Sequence, residues 1–179
     1  MDELSTIRLL LLFVLLVGAA YTDIARRKIY NWLTIPATLA GLLLAGVAAL
    51  AKMSWMPMLP CAIGIGAGLV FYIFFFLGWV GGGDVKLMVA IGALQGPPLD
   101  NFFIFKAIFY TSLAGACMAL VLLAWEGRLL RGLANSGRLL LHPKRHDVDT
   151  EPHGTIPYGL AMVIGTVWTL VMAFAVGMR

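Results

Sequence analysis

The chain has 179 residues, 61% of them hydrophobic and 12% charged, with a formal net charge of +4 and a mean hydropathy of +0.92. That balance excludes a water-soluble domain, and the length leaves no room for several domains, so residues 1–179 read as one membrane-embedded helical bundle. Cys61 and Cys117 both lie in apolar runs, and neither CxxC nor HExxH occurs, so the sequence points to no disulfide framework, no metal and no cofactor. The basic residues border apolar runs instead of alternating with aromatics on a polar face. They indicate a membrane surface and not nucleic acid.

Taken in order, the apolar runs predict an all-α polytopic membrane protein with six transmembrane helices. The first spans about 4–21. Its small-residue end, Val17-Gly18-Ala19-Ala20, resembles a signal cleavage site, but Asp2 and Glu3 precede it and Arg26-Arg27-Lys28 follow, so a retained span is expected. The next two are expected at about 32–51 and 57–80. The fourth, 84–95, is only about 18 Å long as a helix, against a hydrocarbon core of about 30 Å. It can cross only where the membrane is thinned or water enters from one side. Gly96-Pro97-Pro98 then forces a turn, and the last spans are expected at 102–125 and 156–178. Gly64/Gly68 and Gly92/Gly96 have the small-xxx-small spacing that lets membrane helices touch.

Alternating the loops across the membrane puts nine of the thirteen Lys and Arg on one side: Arg26, Arg27, Lys28, Lys86, Arg128, Arg131, Arg138, Lys144 and Arg145. That side is expected to be cytoplasmic, with both termini outside. The segment 126–152 carries Arg128, Arg131, Asn135 and Arg138 at i, i+3, i+7 and i+10, with Leu129, Leu130, Leu133 and Leu140 opposite. This pattern predicts a cytoplasmic amphipathic helix on anionic lipid. A solvated linker is the alternative, since Gly127, Gly132 and Gly137 weaken any helix. His142 and His146 flank Pro143 with no third ligand in view, so no metal site is expected there.

The stretch Gly81-Gly82-Gly83-Asp84-Val85-Lys86 interrupts the apolar pattern between the third and fourth spans. Consecutive glycines permit positive φ, a sharp turn and the close approach of another backbone. An acid at membrane depth costs roughly 2.5–3.5 kcal/mol on insertion scales and marks a functional position by default. Lys86 is expected to snorkel to the interface, or alternatively to tune the acid beside it. Asp23 closes the first span, and loop alternation puts it on the same side as Asp84. Two carboxylates brought together in a poorly hydrated site share one proton and titrate as a pair. One then serves as base toward water and the other as acid toward a peptide carbonyl. Taken alone, Asp23 also reads as a helix-end acid neutralised by Arg26 or Arg27. The serines lack a histidine partner and a GxSxG context.

Gly81-Gly82-Gly83-Asp84-Val85-Lys86-Leu87, followed by Gly92-Ala93-Leu94 and Gly96, resembles the GxGD segment of the type IV prepilin peptidases. Asp23 with Arg27 and Ile29-Tyr30-Asn31 resembles that family's first aspartate block. Ile156-Pro157-Tyr158-Gly159-Leu160-Ala161 with Gly165 resembles its last-span motif. The resemblance implies Asp23 and Asp84 as catalytic aspartates, with Gly81, Gly82, Gly83, Lys86, Pro157 and Tyr158 binding substrate or shaping the site. It implies an aspartic endopeptidase that cuts the basic leader from a prepilin or pseudopilin just after a glycine, at the cytoplasmic face of the inner membrane.

Two departures stand out. Tyr30 occupies a position where the family usually has proline. The N-terminal cysteine-bearing insert of the bifunctional members is not found, so N-methyl transfer is not expected and the size resembles the short forms of tight-adherence (Flp-type) pilus systems or the archaeal preflagellin peptidases. Two other functions fit a pair of membrane acids. One is a small proton-coupled transporter, which needs a polar route through the whole bilayer. The other is an inactive scaffold of pilus assembly.

Overall fold

The computed structural model describes residues 3–77, 80–97, 99, 102–125 and 158–177. Over these the chain is helical, with six helices: α1 Glu3–Arg26, α2 Asn31–Ala51, α3 Met58–Phe76, α4 Gly82–Ala93, α5 Phe103–Trp125 and α6 Tyr158–Gly177. All but α4 are long and apolar enough to cross a membrane. The 126–152 segment and Pro157 lie outside the described residues.

The short α4 is the centre of the bundle. Val85, Leu87, Met88, Ala90, Ile91, Gly92 and Ala93 are all buried on it, and α1, α2, α3 and α6 all touch it. With only 12 residues it is about 18 Å long, so its neighbours and not lipid surround it. The longer helices bury one side against this core and expose large apolar residues on the other, such as Leu10, Phe13 and Val14 on α1. Leu12, Leu15 and Leu16 of α1 pack in one cluster with Leu87, Met88, Ile91 and Leu94. α5 stands outside, packed chiefly on α6.

Glycines set the spacing around α4. A Cβ on Gly64 of α3 would collide with the backbone of Gly92, and the converse also holds. Gly68 lies so close to Val89 that a Cβ would fall 2.8 Å from its Cα. The spacing anticipated along each helix thus works across the pair, Gly64 against Gly92. Gly96 has a different partner, the Arg8 side chain.

Two ends differ from expectation in ways that matter for the site. α1 runs on to Arg26 instead of stopping near residue 21, so Asp23 sits inside its last turn. The third helix stops at Phe76 and the fourth begins at Gly82, not at residue 84. Gly82 and Gly83 are therefore helical, and Gly81 is extended at φ −70°, ψ 145°. Left-handed backbone falls elsewhere, at Arg27 (φ 50°) and Met53 (φ 48°).

Candidate active site

α1 ends on a left-handed residue. The N–H of Arg27 donates to the Asp23 carbonyl at 2.8 Å, the single bond of an αL helix stop. Glycine is usual there because any side chain costs roughly 1–2 kcal/mol in that conformation. The reversal sends Lys28, Ile29 and Tyr30 back across the end of the bundle to the start of α2.

Ile29 is the hinge pin of this end. A Cβ on Gly83 of α4 would fall 3.1 Å from the Ile29 Cβ, and one on Gly159 of α6 would fall 2.9 Å from its Cδ1. One side chain therefore gathers the N-termini of α4 and α6, and both approaches are closer than an ordinary side-chain contact. Tyr30 precedes α2 in an extended conformation (φ −89°, ψ 144°), and its carbonyl accepts from the Leu33 and Thr34 N–H groups. Its hydroxyl lies 3.3 Å from Arg26 Nη1.

A backbone amide holds the first acid, and a helix N-terminus borders the second. Oδ2 of Asp23 accepts from the Leu160 N–H at 2.8 Å, a donor in the first turn of α6 that has no partner within its own helix. Asp84 occupies the first turn of α4, with its Oδ2 only 3.0 Å from where a Cβ on the N-cap residue Gly81 would stand. The positive ends of two helix dipoles thus converge on the acids and offset part of the cost of negative charge. Asp23 is 5% exposed and Asp84 half-buried, and the charge on Asp23 acts on Asp84.

Asp23 and Asp84 line one cavity of about 380 Å³, together with Arg27, Lys28, Ile29, Tyr30, Asn31, Gly81, Gly83 and Tyr158. Tyr158 is half-buried at the start of α6, its ring lying over Gly115 of α5, where a Cβ would be 3.1 Å away. The walls combine two carboxylates, two cations, two phenols and a strip of glycine backbone.

The expected site residues divide in this geometry. Asp23, Asp84, Gly81, Gly83 and Tyr158 meet at the cavity, whereas Gly82 faces the ring of Phe75 on α3. Lys86 does not line it. Its Nζ donates to Asn31 Oδ1 at 2.9 Å, tying α4 to the start of α2. Ile29, Gly159 and Leu160 complete the arrangement without having been expected at the site. Gly159 and Leu160 were visible only as members of a motif, and a backbone N–H leaves no trace in residue type.

These features define a multi-pass helical membrane protein with paired acids in a cavity at one end of the bundle. The sequence model of the type IV leader peptidase family matches residues 10–123, a stretch that holds both acids and α2 to α4 whole. The chain belongs to that family and is a peptidase. No curated protein and no solved structure matches it.

Proposed function

We propose that residues 1–179 form one membrane-embedded aspartic endopeptidase that removes the leader of type IV prepilin-like proteins. The observation that carries the reading is the shared cavity: Asp23 and Asp84, far apart in sequence, line the same space of about 380 Å³. A cavity of this kind admits a peptide bond and a water together, and its Gly81 and Gly83 wall lets an extended chain lie close against backbone.

Two neighbouring carboxylates in a half-buried site hold one proton between them. The ionised acid takes a proton from water as the water oxygen bonds to the scissile carbonyl carbon, while its partner gives its proton to the carbonyl oxygen. The resulting gem-diol collapses: the amide nitrogen takes a proton from the first acid, the C–N bond breaks, and the second acid regains its proton from the diol. The pair then again holds one proton. The amide of Leu160 fixes the Asp23 carboxylate in place for these transfers. Tyr158 lines the same cavity.

The excess of Lys and Arg that the sequence assigns to the loops on the side of Asp23 and Asp84 argues for a cytoplasmic site in the inner membrane with both termini outside, where a leader would be met before export. The transporter alternative gains no support, because Leu12, Leu15, Leu87, Met88 and Ile91 fill the centre of the bundle where a proton route would run. The test is incubation of the purified protein with a leader-bearing helix. Asp23→Asn and Asp84→Asn should each keep the helical content and unfolding temperature yet cut at least about 10³-fold more slowly, the scale of lost acid–base catalysis. Wild-type rates in either variant would overturn the assignment.

A further inference from the structure

We propose that the end of the bundle opposite the acids carries a binding site for a phosphate-type anion, centred on Arg8. Arg8 precedes Asp23 on the same helix by about four turns, or about 22 Å. It is only 4% exposed. Its Nη1 donates to the Gln95 carbonyl at 3.0 Å, and its guanidinium lies over Gly96, where any Cβ would collide with it. The approach to Gly96 thus forms a cradle for this one side chain.

The cradle leaves Arg8 incompletely satisfied. A guanidinium has five donors, and Gln95 engages one nitrogen. The negative end of α4 supplies a fraction of a countercharge, but among the described residues no carboxylate pairs with Arg8. The remaining guanidinium nitrogens are not among the buried, unpartnered atoms, so they open onto free space where an anion can meet them. Arg8 lines a cavity of about 270 Å³ that opens between the start of α1 and the α2–α3 connection, so an anion can reach it.

The other lining groups have the matching chemistry. Lys52, exposed just past the end of α2, puts a second cation on the cavity. Ser54 accepts from the Met56 N–H at 3.3 Å, which leaves its O–H free to donate. Ser5, buried on α1, lines the same space. A forked guanidinium, an ammonium and two hydroxyls form a set of donors suited to tetrahedral oxyanions. The remaining walls, Pro57, Pro60 and Pro97 among them, are apolar and suit the esterified arms of a phosphodiester. Anionic headgroups are held by basic pockets between membrane helices through the same charge pairing. The ligand is accordingly a phosphate group, from an anionic lipid or from free phosphate.

The site is independent of the peptidase reading and is tested without cleavage. Delipidated protein in neutral detergent is titrated with phosphatidylglycerol, with diacylglycerol and with inorganic phosphate, and the unfolding temperature is followed. Arg8→Met also removes the bond to Gln95 and so confounds folding. The informative variant is the surface pair Lys52→Gln with Ser54→Ala.

Phosphatidylglycerol should raise the unfolding temperature of the wild type saturably, and the double variant should need at least tenfold more lipid for the same rise. Diacylglycerol should do nothing. A rise with inorganic phosphate that is weakened in the same variant identifies the free anion as a source. No rise with either phosphate compound, an equal rise with diacylglycerol, or an unchanged response in the double variant would overturn the proposal.

Discussion

Gly159 has no side chain, yet the position of Asp23 depends on it. A Cβ there would fall 2.8 Å from Asp23 Oδ2 and 2.9 Å from its Cγ, closer than real contacts allow, so either the carboxylate or the first turn of α6 must move. Gly159→Ala should therefore lower kcat for leader cleavage by about 10²-fold, the scale expected when reacting groups are misplaced by about 1 Å, with little change in KM. Asp23→Asn keeps the shape and loses the proton, whereas Gly159→Ala keeps the proton and loses the position. A substrate-length series that leaves the kcat loss constant separates the second effect from lost binding. Both acids were readable in the sequence because a carboxylate at the end of an apolar run is costly and conspicuous. Leu160 was not, because its contribution is an amide that every residue but proline carries. Ile29 looked like any apolar residue, and its role arises only where three chain segments cross.

The glycines of α3 make the same point for elements. Gly64, Gly66 and Gly68 stand at every second position and look equivalent in sequence, but a helix presents them to different surroundings. Gly64 and Gly68 are buried against α4, and Gly66 is exposed with nothing within 4 Å of its Cβ direction. Gly64→Ala should destabilise by about 1–3 kcal/mol, because a methyl driven into a packed contact forces the backbones apart. Gly66→Ala should stabilise by roughly 0.5–1 kcal/mol, since it only removes unfolded-chain freedom. Reversible unfolding in mixed micelles reads both, and equal effects would show that α3 and α4 do not meet as described. The spans themselves were legible from apolar runs, and the shortness of the fourth from its count of residues. Its place at the centre of the bundle was less so: a helix buried on every side and one facing lipid are both apolar all round.

At the scale of the whole molecule the bundle has two chemically distinct ends. The acid cavity, with Arg27 and Lys28, lies where α1 stops and α4 and α6 begin, and the Arg8 cavity lies by the link from α2 to α3. The direction of insertion decides which end would meet a prepilin leader, and the charge count predicts the acid end inside. Cysteine labelling in sealed vesicles measures it directly, in a background where Cys61 and Cys117 are replaced by serine. Lys28→Cys is exposed at the acid end, and Trp55→Cys replaces a 65% exposed residue at the other. In right-side-out vesicles a membrane-impermeant maleimide should label Trp55→Cys and spare Lys28→Cys until detergent is added. Inside-out vesicles should reverse the pattern. Labelling of Lys28→Cys from outside would put the acids on the far face, where a leader still in the cytoplasm could not reach them. The peptidase would then have to act after translocation, on a substrate whose leader had already crossed.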